Sequence, residues 1–197
     1  PPFWSLGFHQ CRWSYAPASE VRSVASEFRT RDIPLDAIWM DIDYMDGFRS
    51  FTWDPDGFVD PTTLIADLEA EGTRSVAIID PGIKFQPSGG YEAYDSGVAG
   101  DHFVTLPSRE SYVGEVWPGE AVFPDFTSAT TRAWWADRVA TFVGTGLSGI
   151  WIDMNEPTTW KPGGFPLDSV FDGEGFTTDH REARNVYALL MALATRE

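Results

Sequence analysis

Gly149-Ile150-Trp151-Ile152-Asp153-Met154-Asn155-Glu156 begins as an apolar run of strand composition and ends in acid. Its length and its β-branched and aromatic content fit a strand buried on both faces, the usual state of strands in a parallel sheet. Working outward, three more runs have the same character: Phe3 to Phe8, Ala37 to Asp41 and Ser75 to Ile79. Longer segments of helical periodicity separate and follow them, at Pro17 to Arg31, Pro61 to Glu71, Ser128 to Thr145, and Asp179 to the end of the sequence. Strand and helix in alternation predict four βα units on a parallel sheet.

The helix ends are chemically marked. Pro61-Thr62-Thr63 suits an N-terminus, and Gly72 and Gly146 suit C-terminal caps. In the last helix Ala188, Leu189, Met191, Ala192 and Leu193 supply an apolar face. Two connections exceed the usual βα loop of about 2–6 residues: Arg49 to Asp60, and the irregular stretch from Pro81 to Thr127. Tyr112, Trp117, Phe123 and Phe126 argue that the second is ordered. No repeat or second domain is indicated, so the 197 residues read as one domain.

Thirty acidic residues against fourteen basic ones give a net charge of −16, which repels phosphate backbones and anionic lipid surfaces. Nucleic acid and membrane surfaces are therefore not expected partners. No apolar stretch approaches the roughly 20 residues that span a bilayer. The single Cys11 cannot form an internal disulfide, so the sequence does not point to an oxidising compartment, and localisation stays open. The chain starts Pro1-Pro2-Phe3 with no leader pattern, and both ends look like cut points in a longer polypeptide.

Three of the four expected strands end in acid: Asp41 and Asp43 after the second, Asp80 after the third, Asp153 and Glu156 after the fourth. In a parallel barrel the C-terminal strand ends ring one mouth, where active sites form. Carboxylates accept sugar hydroxyls and indole faces cover sugar C–H surfaces, so these acids with Trp39, Trp53, Trp117 and Trp151 fit a polyhydroxyl ligand. Glycoside cleavage also needs a carboxylate beside an oxocarbenium-like transition state.

Plainer roles compete at each position. A strand-end Asp is often a cap of the next turn, and Trp39 and Trp134, in regular elements, suit core packing, whereas Trp53 and Trp117 lie in loops. His9, His102 and His180 are too scattered for a metal site. Asp41-Ile42-Asp43 could be read as a divalent-cation motif, but no Gly-rich phosphate loop accompanies it.

The stretches Pro2-Phe3-Trp4-Ser5-Leu6-Gly7-Phe8-His9-Gln10-Cys11-Arg12, Ile33-Pro34-Leu35-Asp36, Trp39-Met40-Asp41-Ile42-Asp43-Tyr44-Met45, Glu115-Val116-Trp117-Pro118-Gly119, Phe123-Pro124-Asp125-Phe126 and Trp151-Ile152-Asp153-Met154-Asn155-Glu156-Pro157 resemble glycoside hydrolase family 31. The resemblance runs along nearly the whole chain. It implies a TIM-type (β/α)₈ barrel of which this chain holds about the first four units, retaining exo-hydrolysis of terminal α-glucosyl residues in an α-linked oligosaccharide or α-glucoside, and neither metal nor cofactor. It implies Asp153 as nucleophile, Asp43 and Asp80 as carboxylates of the sugar pocket, Trp53, Trp117, Trp151 and Met154 as its walls, and Glu156 as support for the loop. Asp41 falls mainly to structure.

The family's acid/base Asp and its substrate-binding Arg and His lie beyond the fourth helix, so they have no counterpart here. Asp168, Asp172 and Asp179 come too early to match. A retaining mechanism wants two carboxyl groups about 5–5.5 Å apart. The chain is therefore expected to need the rest of the barrel, whose absence would leave strand edges and an inner apolar face uncovered. The alternative reading is a non-catalytic carbohydrate-binding or interaction fragment.

Overall fold

A computed structural model describes residues 1–196, so the expected helix from Asp179 to the end has its last residue, Glu197, outside the described residues. In chain order the strands are β1 (His9–Cys11), β2 (Ala37–Met40), β3 (Arg74–Ile79), β4 (Ile83–Lys84), β5 (Gly114–Val116), β6 (Gly119–Val122), β7 (Gly149–Ile152), β8 (Val170–Gly173) and β9 (Phe176–Asp179). The helices are α1 (Ala18–Thr30), α2 (Pro61–Ala70), α3 (Glu92–Ala99), α4 (Ala129–Val143), α5 (His180–Ala183) and α6 (Tyr187–Arg196). Contacts divide the chain into two compact units: Pro1–Ile79 with Ala140–Trp151, and Asp80–Val139 with Ile152–Glu197.

The first unit is built on the four-stranded sheet β1-β2-β3-β7, in which β1, β2 and β3 run parallel. Cys11, Trp39 and Val76 stand in register and so share one face. Ile38 and Met40 point the other way and are fully buried. Helix α2 packs on β3 and α1 packs on α2. Leu64, Ile65 and Leu68 of α2 are buried, each contributing on the order of 1.5–3 kcal/mol. Asp60 caps that helix by accepting from the Thr63 N–H at 3.0 Å, with Pro61 in the first turn. The chain leaves α2 and α4 through Gly72 and Gly146 at φ of +86° and +108°, where a side chain would strain the backbone.

The first strand differs from expectation. Phe3 to Leu6 forms a 3₁₀ turn and the strand is His9–Cys11. The Asp36 carboxylate accepts the Phe8 N–H at 2.9 Å and fills the space that a Cβ on Gly7 would need, so regular pairing with β2 starts only past Phe8. The apolar residues of the run are instead exposed, Phe3 at 91% and Leu6 at 72%.

The second unit corrects the reading of Pro81 to Thr127 as irregular. It contains α3 and the antiparallel sheet β4-β6-β5, closed by the two-residue turn Trp117-Pro118. Sequence periodicity misses this because the strands are two to four residues long. Its core is aromatic: Phe126 meets Trp135 and Tyr187 edge-on at 5.1 Å, and Tyr112, Phe123 and Phe165 form a second group. The final helix is also broken. Asp179 ends β9 and caps the single turn α5 through the Arg181 N–H, and α6 begins at Tyr187. The buried face of α6 is Tyr187, Met191 and Ala194, while Leu189 and Leu193 are exposed.

Candidate active site

In the first unit, Asp41 ends the extension of β2 and accepts the Ile42 N–H at 2.8 Å, capping a 3₁₀ turn over Ile42–Tyr44. That is the capping role open to a strand-end Asp. The turn carries Asp43, half-buried, whose Oδ2 accepts the indole N–H of Trp13 at 2.8 Å. Trp13 is 73% exposed. Sequence reasoning overlooked it, although it directly follows the Cys11-Arg12 of a quoted motif.

Trp39 and Trp151 come together at 6.0 Å, and the row continues through His9 to Trp4. Gly149 leaves room for this row: a Cβ there would lie 3.3 Å from Val76 and 3.8 Å from the Trp4 ring. Trp53 packs among Tyr44, Phe58 and Phe142 at 4.8–6.0 Å, so part of its ring belongs to the core although it lies in a loop. Its Nε1 is buried without a hydrogen-bond partner among the described residues.

In the second unit, Asp80 and Asp153 follow directly on the last residues of β3 and β7, and Asp80 is buried while Asp153 is half-buried. Met154 adopts φ +55°, a left-handed conformation that costs a non-glycine residue roughly 1–2 kcal/mol. The following residues hold it there. The Met154 carbonyl accepts the Thr158 N–H at 3.2 Å, and Glu156 accepts the Thr158 hydroxyl at 2.6 Å. Backbone strain of this kind, here in the residue that follows the strand-end Asp153, clusters at functional positions.

Trp117 lies in the β5–β6 turn, 38% exposed, and meets Trp160 edge-on at 4.6 Å. Trp160, 45% exposed, was not among the sequence candidates, although it follows the Asn155-Glu156-Pro157 motif by three residues. Asp125 of the Phe123–Phe126 motif is a structural hub. Its carboxylate accepts from the Thr127 N–H and hydroxyl and from the Asp172 N–H, and burial holds its pKa above the usual range. His102 stacks on Trp134 at 5.1 Å, and its Nδ1 lies 3.2 Å from the Thr131 hydroxyl. Among the described residues no group of three or more His, Cys, Asp or Glu is arranged to hold a metal ion, and no helix is long and apolar enough to cross a membrane.

A sheet of βα units with Asp41, Asp80 and Asp153 directly after β2, β3 and β7 is the arrangement of a TIM-type barrel scaffold. The chain belongs to the glycosyl hydrolases family 31 TIM-barrel domain, which it matches over residues 1–197. It is 43% identical over 196 residues to alpha-glucosidase 2 of Bacillus thermoamyloliquefaciens, covering 99% of this chain and 25% of that protein. It is 42% identical over 165 residues to the lysosomal alpha-glucosidase of Rattus norvegicus, covering 83% and 17%. A crystal structure of a glucosidase II alpha subunit superposes with a TM-score of 0.90 at 34% identity, covering 98% of this chain and 21% of the other. The chain thus spans about a quarter or less of the length of these relatives.

Proposed function

We propose that residues 1–197 are part of a single catalytic barrel that hydrolyses terminal α-glucosyl residues with retention, with an α-linked oligosaccharide or α-glucoside as substrate. The observation that carries this reading is the Trp151-Ile152-Asp153-Met154-Asn155-Glu156 run at the end of β7 in a chain that matches the family over its full length.

In this reading an oxygen of the Asp153 carboxylate attacks the anomeric carbon as the glycosidic C–O bond breaks. The leaving oxygen takes a proton from a carboxylic acid outside the 197 residues. Water then attacks the glycosyl-enzyme ester, gives a proton back to that acid, and releases Asp153 and the sugar. Asp43 and Asp80 accept sugar hydroxyls, while Trp53, Trp117, Trp151 and Met154 form the apolar walls. Glu156 keeps the loop after Asp153 in shape through its bond to Thr158.

Asp153→Asn in the full-length protein tests the reading. Turnover of maltose is expected to fall by at least about a thousandfold, roughly 4 kcal/mol of barrier. Mass spectrometry of wild-type protein with a slow α-glucosyl fluoride should show the glycosyl adduct on Asp153. An adduct elsewhere, or undiminished turnover, sinks the assignment.

A further inference from the structure

The segment after Asp153 is tied to the strand leading to Trp117 by a closed ring of three hydrogen bonds. The Gly164 N–H donates to Thr159 Oγ1 at 2.9 Å, and the Tyr112 hydroxyl donates to the Gly164 carbonyl at 3.1 Å. The Tyr112 and Thr159 oxygens lie 3.2 Å apart. Tyr112 has one proton, used on Gly164, so Thr159 is the donor in the third contact. Each donor is used once, and both side chains are buried, at 2% and 5% exposure. Burial also pushes the Tyr112 phenol upward, which keeps its proton in place for this bond.

The ring is packed as well as bonded. A Cβ on Gly114 would lie 2.7 Å from Thr159 Cγ2 and 2.9 Å from the Tyr112 oxygen, so the two segments touch with no side chain between them. The next residue continues the contact as backbone pairing. The Glu115 N–H donates to the Lys161 carbonyl at 2.8 Å, and the Trp160 N–H donates to the Glu115 carbonyl at 2.9 Å. That pairing brings Trp160 to the edge-on contact with Trp117. The outer ion pair of Lys161 with Glu115 is solvent-exposed and so contributes little.

We propose that Tyr112 and Thr159 are positioning residues for Trp117: their hydrogen-bonded ring sets the register of β5 against residues 159–161 and thereby the Trp117–Trp160 pair. The inference rests on the reading of Trp117 as a wall of the sugar pocket. Neither Tyr112 nor Thr159 touches substrate in this role; they act on substrate binding through the indole.

The test is steady-state hydrolysis of maltose by the full-length protein. Tyr112→Phe and Thr159→Val each remove two of the three bonds at nearly constant shape, and each is expected to raise KM by about threefold to tenfold with kcat within about twofold. Thr159→Ser keeps the hydroxyl and is expected to hold KM within about twofold of wild type, as is Lys161→Met. Unchanged KM in both Tyr112→Phe and Thr159→Val overturns the proposal. An equal rise in Thr159→Ser, which keeps the hydroxyl, and Thr159→Val, which removes it, also overturns it, because loss of the hydrogen-bonded ring is then not what raises KM. Should Tyr112→Phe fail to accumulate, the Val and Ser variants at position 159 decide alone. Active wild type with unaltered variants refutes only the positioning role; wild type without any turnover of α-glucosides refutes the functional reading and this inference together.

Discussion

The indole N–H of Trp39 donates to Nδ1 of His9 at 3.1 Å, joining neighbouring strands β2 and β1 through their side chains. Indole nitrogen can only donate, so Nδ1 holds the lone pair and the ring proton sits on Nε2, which donates to the Trp4 carbonyl at 3.2 Å. His9 is thereby fixed as one neutral tautomer between two tryptophans. Replacing it with Phe keeps a ring in the row but removes both bonds. The expected loss is about 1–2 kcal/mol, read as a lower urea midpoint at unchanged slope. An unchanged midpoint would mean that the two bonds contribute nothing net.

The buried Asp125 carboxylate accepts two hydrogen bonds from Thr127 in its own loop and one from the Asp172 N–H, which ties the loop before α4 to the β8–β9 hairpin. Asp125→Ala leaves the Asp172 and Thr127 donors without this partner, and a loss of about 2–4 kcal/mol is expected. Hydrogen exchange should localise the effect, with faster exchange at Asp172 and Thr127 than in β2 and β3. Uniform protection across both regions would refute this hub role.

His102 and His180 both have pKa values pushed down, first by burial, and for His180 also by the Arg184 charge. The unfolded chain therefore takes up protons before the folded one does. Their contribution is fully present above the ordinary histidine pKa near 6.5 and is lost as pH falls through the lower folded values. Asp125, with a raised pKa, acts in the opposite sense, losing stability as pH rises through its folded value. Thermal melts between pH 7.5 and 5 should show a falling Tm, and replacing His102 by Gln should flatten that slope. A slope unaffected by the replacement would remove His102 from the account.

Gly97, inside α3, faces the Phe103 ring so closely that a Cβ would sit 2.3 Å from Cζ. Alanine normally strengthens a helix by about 1 kcal/mol over glycine. Here overpacking should reverse the sign, with Gly97→Ala destabilising by about 1–3 kcal/mol in urea denaturation. A stabilised variant would show that the Phe103 ring can move aside.

Much of the scaffold was legible in the sequence because local chemistry fixed it. The Ala37 and Ser75 runs are apolar over the length of a strand, and Pro61-Thr62-Thr63 and Gly72 mark both ends of α2, so each boundary fell within a residue of its place. The Trp151 to Pro157 run, together with the stretches from Pro2, Ile33, Trp39, Glu115 and Phe123, carried the resemblance to the family. The Phe3 run failed because composition favours a strand there, whereas Asp36, distant in sequence, captures the Phe8 N–H and moves the pairing on to His9.

The same division holds for the candidate site. Residue types at strand ends offered Asp41, Asp43, Asp80, Asp153 and Glu156, and the family resemblance singled out Asp43, Asp80 and Asp153. What each side chain touches was decided by the fold: Trp13 on Asp43, Trp160 on Trp117, and Tyr112 closing a ring with Thr159 and Gly164. The sequence by itself determined β2, β3 and β7, the ends of α2 and the family, because these rest on composition and neighbours along the chain. Only the tertiary structure decided the partners of Trp13, Tyr112 and Asp125, because hydrogen bonds between residues tens of positions apart leave no periodic trace in a sequence.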